Sequence, residues 1–209
     1  MKWLGWTRER GQRHDLPEPA MKRLGLDGLP RGRLIAVAGA DPERRQRRLW
    51  RWACHVHRQG GAVLWLDPLA MCRDRLDEEN EEFPKLSPRS HDAADQLLQQ
   101  SMATGGFHLI ILENFDALRP EGALEESVVK RPLKWRDETR YLAHWAGRCW
   151  RYQCTLVIGR RGYEQRRDPV DDHAVIRFEV NPTRGALQLV ESRPLLEELG
   201  WRRLPGDSP

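Results

Sequence analysis

The sequence predicts an α/β protein: a mostly parallel, twisted sheet flanked by helices, with an antiparallel hairpin at its C-terminal end. Three observations carry this expectation. Nearly continuous apolar runs at residues 33–38, 62–66, 107–112 and 154–158 have the length and composition of strands buried on both faces of a sheet. Helical patterns fall between these runs, and strand–helix–strand spacing of this kind makes the flanking strands parallel. Two further strands, at 174–180 and 186–190, are separated only by Asn181-Pro182-Thr183-Arg184-Gly185, so they pair as a hairpin.

The elements follow in order. Gly28-Leu29-Pro30-Arg31-Gly32 is a turn signal before the first core strand, and Gly39-Ala40 closes that strand. Asp41 then fits a helix N-cap, with Pro42 at the first helical position and Glu43 in the first turn. This helix is expected to run to Arg58, with Leu49, Trp52, Ala53 and Val56 at i, i+3, i+4, i+7 as its buried stripe. Trp50, beside the inward Trp52, is expected to point partly outward. Gln59-Gly60-Gly61 ends the helix. After the second strand come an acidic stretch at 74–82 and an exposed loop at 83–88. A helix is expected over 93–104, with Ala94, Leu97, Leu98 and Met102 facing inward, and another over 133–151, with Leu142, Trp145, Ala146 and Cys149 facing inward. His108 falls within the third strand as a satisfied core histidine, and residues 159–173 read as a polar loop. Residues 1–27 form an arm and linker, 28–192 the core domain, and 193–209 a tail. Trp3, Trp6 and Trp201, in the terminal segments, suggest that the ends dock on something.

Composition bounds the function. The 209 residues are 39% hydrophobic and 32% charged, but nine Trp argue against a disordered chain. No run approaches the ~18 apolar residues of a membrane span. The first ten residues have no apolar signal-peptide core, so the expectation is a cytoplasmic protein without a membrane partner. Charge is unevenly placed. Residues 1–58 carry 14 Lys/Arg against 6 Asp/Glu, residues 59–129 carry 5 against 14, and residues 130–209 carry 16 against 11. Such a chain suits a polyanion on one surface and a cationic partner on another. The four cysteines lack paired CxxC spacing; Cys54-His55-Val56-His57 could be a metal fragment, but reduced structural thiols with no metal are the better reading.

The order of elements, a parallel sheet with a terminal antiparallel hairpin, resembles the core of the RecA superfamily. Residues 28–33 resemble the segment before that family's first core strand, residues 62–68 its second strand with a terminal Asp, and residues 107–114 its Walker B strand. A phosphate-binding loop reads GxxxxGK[ST], because backbone N–H groups must close round the phosphates, a lysine must reach them and a hydroxyl must hold Mg²⁺. Aligned on Gly39, Arg44 replaces the second glycine, Arg45 the lysine and Gln46 the hydroxyl residue. Asp41 and Glu43 place carboxylates where phosphates would sit, and Pro42 removes one N–H. Glu113 stands for the Walker B aspartate, and Leu69 occupies the position of the catalytic glutamate. The resemblance therefore implies a retained fold with a vestigial nucleotide site (Gly39, Arg44, Arg45, Gln46, Glu113), no enzymatic activity and no cofactor. Within the superfamily, the short non-hydrolysing bacterial members are most similar: the ImuA family of translesion-synthesis accessory proteins and the SulA family of cell-division inhibitors. The ImuA-like reading implies a role in SOS mutagenesis beside a DNA-polymerase-type partner, an inactive Y-family homologue. The SulA-like reading implies a protein-binding regulator with no nucleic-acid role.

Two basic segments are candidate DNA contacts. Arg160, Arg161, Arg166 and Arg167 flank Tyr163 in the place of a recombinase DNA-binding loop, where arginines can pair with phosphates and the ring can stack on a base. Lys130, Arg131 and Lys134 precede the long helix at the same end of the sheet. Single-stranded DNA is the expected ligand, and solvated surface charge is the competing reading. Trp50 and Trp201 are candidate partner-binding anchors. The arginines of the first helix could offer a second basic surface or link to the acidic segment 74–82, within one chain or between self-associated copies.

Overall fold

A computed structural model describes residues 14–15, 28–70, 83–118, 131–161, 170, 173–174, 176–181, 183 and 187–192. The elements are β1 (His14–Asp15), β2 (Gly28–Leu29), β3 (Leu34–Ala38), α1 (Pro42–Arg58), β4 (Val63–Leu66), β5 (Lys85–Leu86), α2 (His91–Ala103), β6 (Leu109–Leu112), a 3₁₀ turn (Phe115–Ala117), α3 (Arg131–Tyr152), β7 (Thr155–Arg160), β8 (Ile176–Val180) and β9 (Leu187–Ser192). β1 and β2 pair with each other. The other seven strands form one sheet in the order β5-β4-β6-β7-β3-β8-β9. Every neighbouring pair in it is parallel except β8 and β9, which form the antiparallel C-terminal pair.

The sheet is covered on both faces, which is why β3, β4 and β6 are apolar at every position. Ile35, Val37, Val63, Trp65, Leu109, Ile111 and Val157 pack beneath α1. Their neighbours in sequence, Leu34, Ala36, Leu64, Leu66, Ile110, Leu112 and Leu156, face α2 and α3. The carboxyl ends of β3, β6 and β7 open between these two layers, where α/β sheets collect ligands.

Local signals set the helix ends. Asp41 Oδ1 accepts from the Arg44 backbone N–H at 3.1 Å and Pro42 opens α1, while Gly60, at φ +80°, follows its last turn. Ser90 Oγ accepts from the Ala93 N–H at 3.1 Å, which starts α2 at His91, two residues before the expected position.

Several expectations are corrected. Residues 83–88 are not an exposed loop: Phe83 is buried and Lys85–Leu86 is a parallel edge strand on β4. Trp50 does not point outward. It is 1% exposed, with its ring 4.8 Å from Phe83 and 5.5 Å from Trp65, and Lys85 Nζ lies 4.9 Å from its centroid. The segment that carries β5 covers the second flank of α1, so the buried face extends past the expected stripe to include Trp50. β7 runs two residues beyond its apolar run and takes in Gly159 and Arg160, so the polar segment begins at Arg161. Residues 131–134 are the first turn of α3 rather than a loop. His108 lies just before β6, where its Nδ1 accepts from the Ala62 N–H at 3.0 Å. Among the described residues, no helix is long and apolar enough to cross a membrane.

Candidate functional site

The strand ends place four polar side chains against one another. Asp67 follows β4, Glu113 and Asn114 follow β6, and Arg45 descends from the first turns of α1. All four are buried, with exposures of 2% for Arg45 and Asp67, 0% for Glu113 and 7% for Asn114. A buried charge is tolerated only when paired and hydrogen-bonded, and Arg45 meets that condition in detail. Its Nε donates to Glu113 Oε1 at 2.8 Å, its Nη1 to the carbonyls of Gly39 at 2.7 Å and Arg160 at 2.9 Å, and its Nη2 to Asn114 Oδ1 at 2.8 Å. One guanidinium thus ties together the ends of β3, β6 and β7.

Asn114 extends the network. It sits in the left-handed region at φ 53°, ψ 42°, which asparagine tolerates better than most side chains, and its Nδ2 donates to Asp67 Oδ1 at 2.9 Å. The same oxygen accepts from the Leu69 N–H at 3.0 Å. Glu113 Oε2 and Asp67 Oδ2 accept no hydrogen bond among the described residues. The Glu113 carboxyl is raised to about 7: burial pushes it up most, the charge and hydrogen bond of Arg45 pull it down, and the Asp67 charge raises it. Burial, with the nearby Asp67 charge adding to it, makes this a site that favours an extra proton.

Gly159 makes room for this arrangement. A Cβ there would lie 1.6 Å from Glu113 Oε2 and 2.9 Å from Leu49 Cδ1. Gly39 is also crowded, with Val180 Cβ at 3.2 Å from its would-be Cβ. At the helix N-terminus, Arg44 pairs through Nε with Asp41 Oδ2 at 3.0 Å and donates through Nη1 to the Thr183 carbonyl at 2.8 Å. The partial positive charge of α1 therefore faces a carboxylate of the same chain. Gln46 is buried beside this turn.

Of the five residues named from sequence as a vestigial nucleotide site, Gly39, Arg45 and Glu113 meet directly, whereas Arg44 is exposed and held by Asp41 and the Thr183 carbonyl. The candidate DNA contacts are divided. Arg160 is corrected: it is 3% exposed, its Nη2 donates to Asp116 Oδ1 at 2.8 Å, and its guanidinium lies 5.7 Å from the Phe115 ring. Its side chain is turned into the strand ends rather than toward a ligand. Arg161 is exposed, and its backbone N–H donates to Asp116 Oδ2 at 2.6 Å. Lys130, Tyr163, Arg166, Arg167 and Trp201 lie outside the described residues, as do the side chains of Arg131 and Lys134. Trp50, buried in the core, is not an available partner anchor. Cys54, Cys149 and Cys154 are buried thiols outside any disulfide, and no group of three metal-ligating side chains occurs among the described residues.

Sequence reading did not identify Gly159, Asn114 or Asp116 as site residues. The available signal was positional: polar residues or glycine directly at the carboxyl end of an apolar strand. No family model matches the chain, and no curated protein matches it.

Proposed function

We propose that the chain is a non-catalytic adaptor built on a RecA-type core, acting in DNA repair or damage-induced translesion mutagenesis beside a polymerase-type protein partner and single-stranded DNA. The mostly parallel sheet with its antiparallel terminal strand supports the fold half of this reading. The observation that carries the functional half is the buried guanidinium of Arg45. In a nucleotide-hydrolysing core, the strand ends and the first turn of the following helix cradle phosphates, a lysine and Mg²⁺. Here four N–H donors of Arg45 go to protein acceptors in that place, and Asp41 takes the helix N-terminus. The donor set does not fit a triphosphate: its cation is engaged, and its nearest free oxygens, on Glu113 and Asp67, would repel one. The scaffold is left to serve as a docking platform.

Arg161 and the following Tyr163, Arg166 and Arg167 remain the DNA-binding candidates of this reading, with Lys130, Arg131 and Lys134. The test has two arms. Affinity purification after DNA damage should recover polymerase-type proteins; recovery of a tubulin-like division protein instead would replace this reading with that of a division inhibitor. Single-stranded DNA binding should weaken steeply with salt and be lost in Arg161→Glu/Arg166→Glu/Arg167→Glu. Unaltered binding by that variant removes the DNA half.

A further inference from the structure

The outward face of α3 carries a stripe that the strand-end site does not use. Successive residues of a helix turn by about 100°, so Arg140, Ala143, His144, Gly147, Trp150 and Arg151 fall within an arc of about 120°. All six are exposed, while Tyr141, Leu142, Trp145 and Cys149 are buried on the rest of the circumference. Trp150 stands at 49% exposure, with the Arg33 guanidinium 4.4 Å from its ring centroid. About one turn earlier, a Cβ on Gly147 would meet nothing within 4 Å, and Ala143 lies a further turn back. Glycine is a poor interior helix residue, and here it leaves a shallow hollow beside an indole.

From Thr139 to Tyr152 this helix carries no Asp or Glu. Arg151 and His144 flank the hollow, whereas Arg140 is turned over the Tyr141 ring at 5.0 Å and Arg148 is paired with Asp95. The stripe is thus apolar along its middle and cationic at its margin.

A segment of the same chain starts close to this face. Ser192 ends β9 opposite Ile176, and Ile176 pairs with Ile35 of β3. At ~4.8 Å between strands, these three residues span about 10 Å across the sheet. β9 runs antiparallel to β3, so the chain leaves it at the end of the sheet where Arg33 enters. Nine extended residues span at most ~30 Å, enough to carry residues 194–201 from Ser192 over Trp150.

We infer that the Trp150 face of α3 is the docking surface for residues 194–201 of the same chain, Pro194-Leu195-Leu196-Glu197-Glu198-Leu199-Gly200-Trp201, which lie outside the described residues. The segment complements the face in two respects. Its three leucines and Trp201 supply apolar side chains for the indole and the Gly147 hollow, and large aromatic side chains seated in hollows carry much of the energy of such contacts. Its two carboxylates, with no Lys or Arg among these eight residues, suit a margin that bears Arg151 and His144. Residues 1–13 also contain tryptophans, Trp3 and Trp6, but their four Lys/Arg against one acid set them against the same cations. Two copies meeting through this face would oppose its arginines to their like. The surface is separate from the strand-end segments of the proposed function and does not depend on their DNA contacts.

Photo-cross-linking of the full chain with p-benzoylphenylalanine in place of Trp150 tests the inference. The mapped cross-links should fall within residues 194–201 and within one chain. Cross-links to residues 1–13, to a second copy, or to no part of 194–201 would overturn it. Hydrogen exchange of the full chain gives a second reading, because releasing a docked segment is a local event that leaves the core closed. Trp150→Ala should speed exchange of the backbone amides of 194–201 at least ~fivefold while β6 and β7 keep their protection. Arg151→Glu should act in the same direction more weakly, and Arg151→Glu/Glu197→Arg/Glu198→Arg should restore the protection. Unchanged exchange of 194–201 in Trp150→Ala, with β6 and β7 still protected, would overturn the inference. Neither measurement involves nucleic acid or a polymerase-type partner, so failure here is distinct from failure of the proposed function.

Discussion

Arg45 donates through Nε to Oε1 of Glu113 at 2.8 Å, across 68 residues of sequence, with both side chains almost wholly withdrawn from water. The same guanidinium holds the carbonyl of Arg160, the last residue of β7, and that of Gly39, which follows the parallel strand β3. This pair is the keystone of the strand-end network.

Removing one partner of a buried pair should cost far more than removing both. Arg45→Met leaves Glu113 without its cation and should lower stability by about 3–5 kcal/mol. Arg45→Met/Glu113→Leu should recover a substantial part of that loss. Urea unfolding of the two variants and of Glu113→Leu closes the double-mutant cycle, and additive losses would argue against coupling.

The raised carboxyl gives a pH signature. Between its ordinary value of 4.5 and about 7, the folded chain holds a proton that the unfolded chain has released. Its contribution to stability is therefore full below about pH 4.5, declines as pH rises to about 7, and stays lost above, by on the order of 3 kcal/mol at most. Glu113→Gln lacks the titrating group, so the stability difference between wild type and this variant should shift across that window. A pH-independent difference contradicts the assignment.

Gly159→Ala should be severe for a small change. The added methyl meets a buried carboxylate and Leu49 together, and overpacking of this kind costs about 3 kcal/mol. In a Glu113→Ala background the additional cost should shrink, because the closest obstruction is gone. Thermal unfolding of both pairs measures the difference.

The two tryptophans Trp50 and Trp150 should behave oppositely. Trp50→Ala empties a site lined by Trp65 and Phe83 and should cost about 3–5 kcal/mol. Trp150 is 49% exposed beneath the Arg33 guanidinium, 4.4 Å from its ring, and Trp150→Ala should cost about 1 kcal/mol or less. Denaturant midpoints of the two variants check the contrast.

The central strands, both described ends of α1 and the antiparallel terminal pair were legible because they rest on local signals: unbroken apolar runs, an Asp-Pro cap, paired glycines. β5 was not, since two residues have no periodicity and pair only because Phe83 anchors them beside Trp50. Trp50 was misplaced for the same reason, as the helical pattern of α1 cannot show what covers its second flank. Arg160 looked like loop because polar sequence resumes at Gly159, although backbone pairing with β3 continues through it. Comparison with the phosphate-loop pattern singled out Arg45 and Glu113, but their contact, the bridge through Asn114 to Asp67 and the space made by Gly159 depend on strands far apart in the chain.

Titration of Mg-ATP into the full chain, followed by calorimetry, tests the central claim most directly. With Arg45 engaged by Glu113, Asn114 and two carbonyls, no saturable heat should appear, meaning binding weaker than ~1 mM. Saturable binding tighter than that, weakened by Arg45→Met, would show that the strand ends hold a nucleotide and would contradict the account.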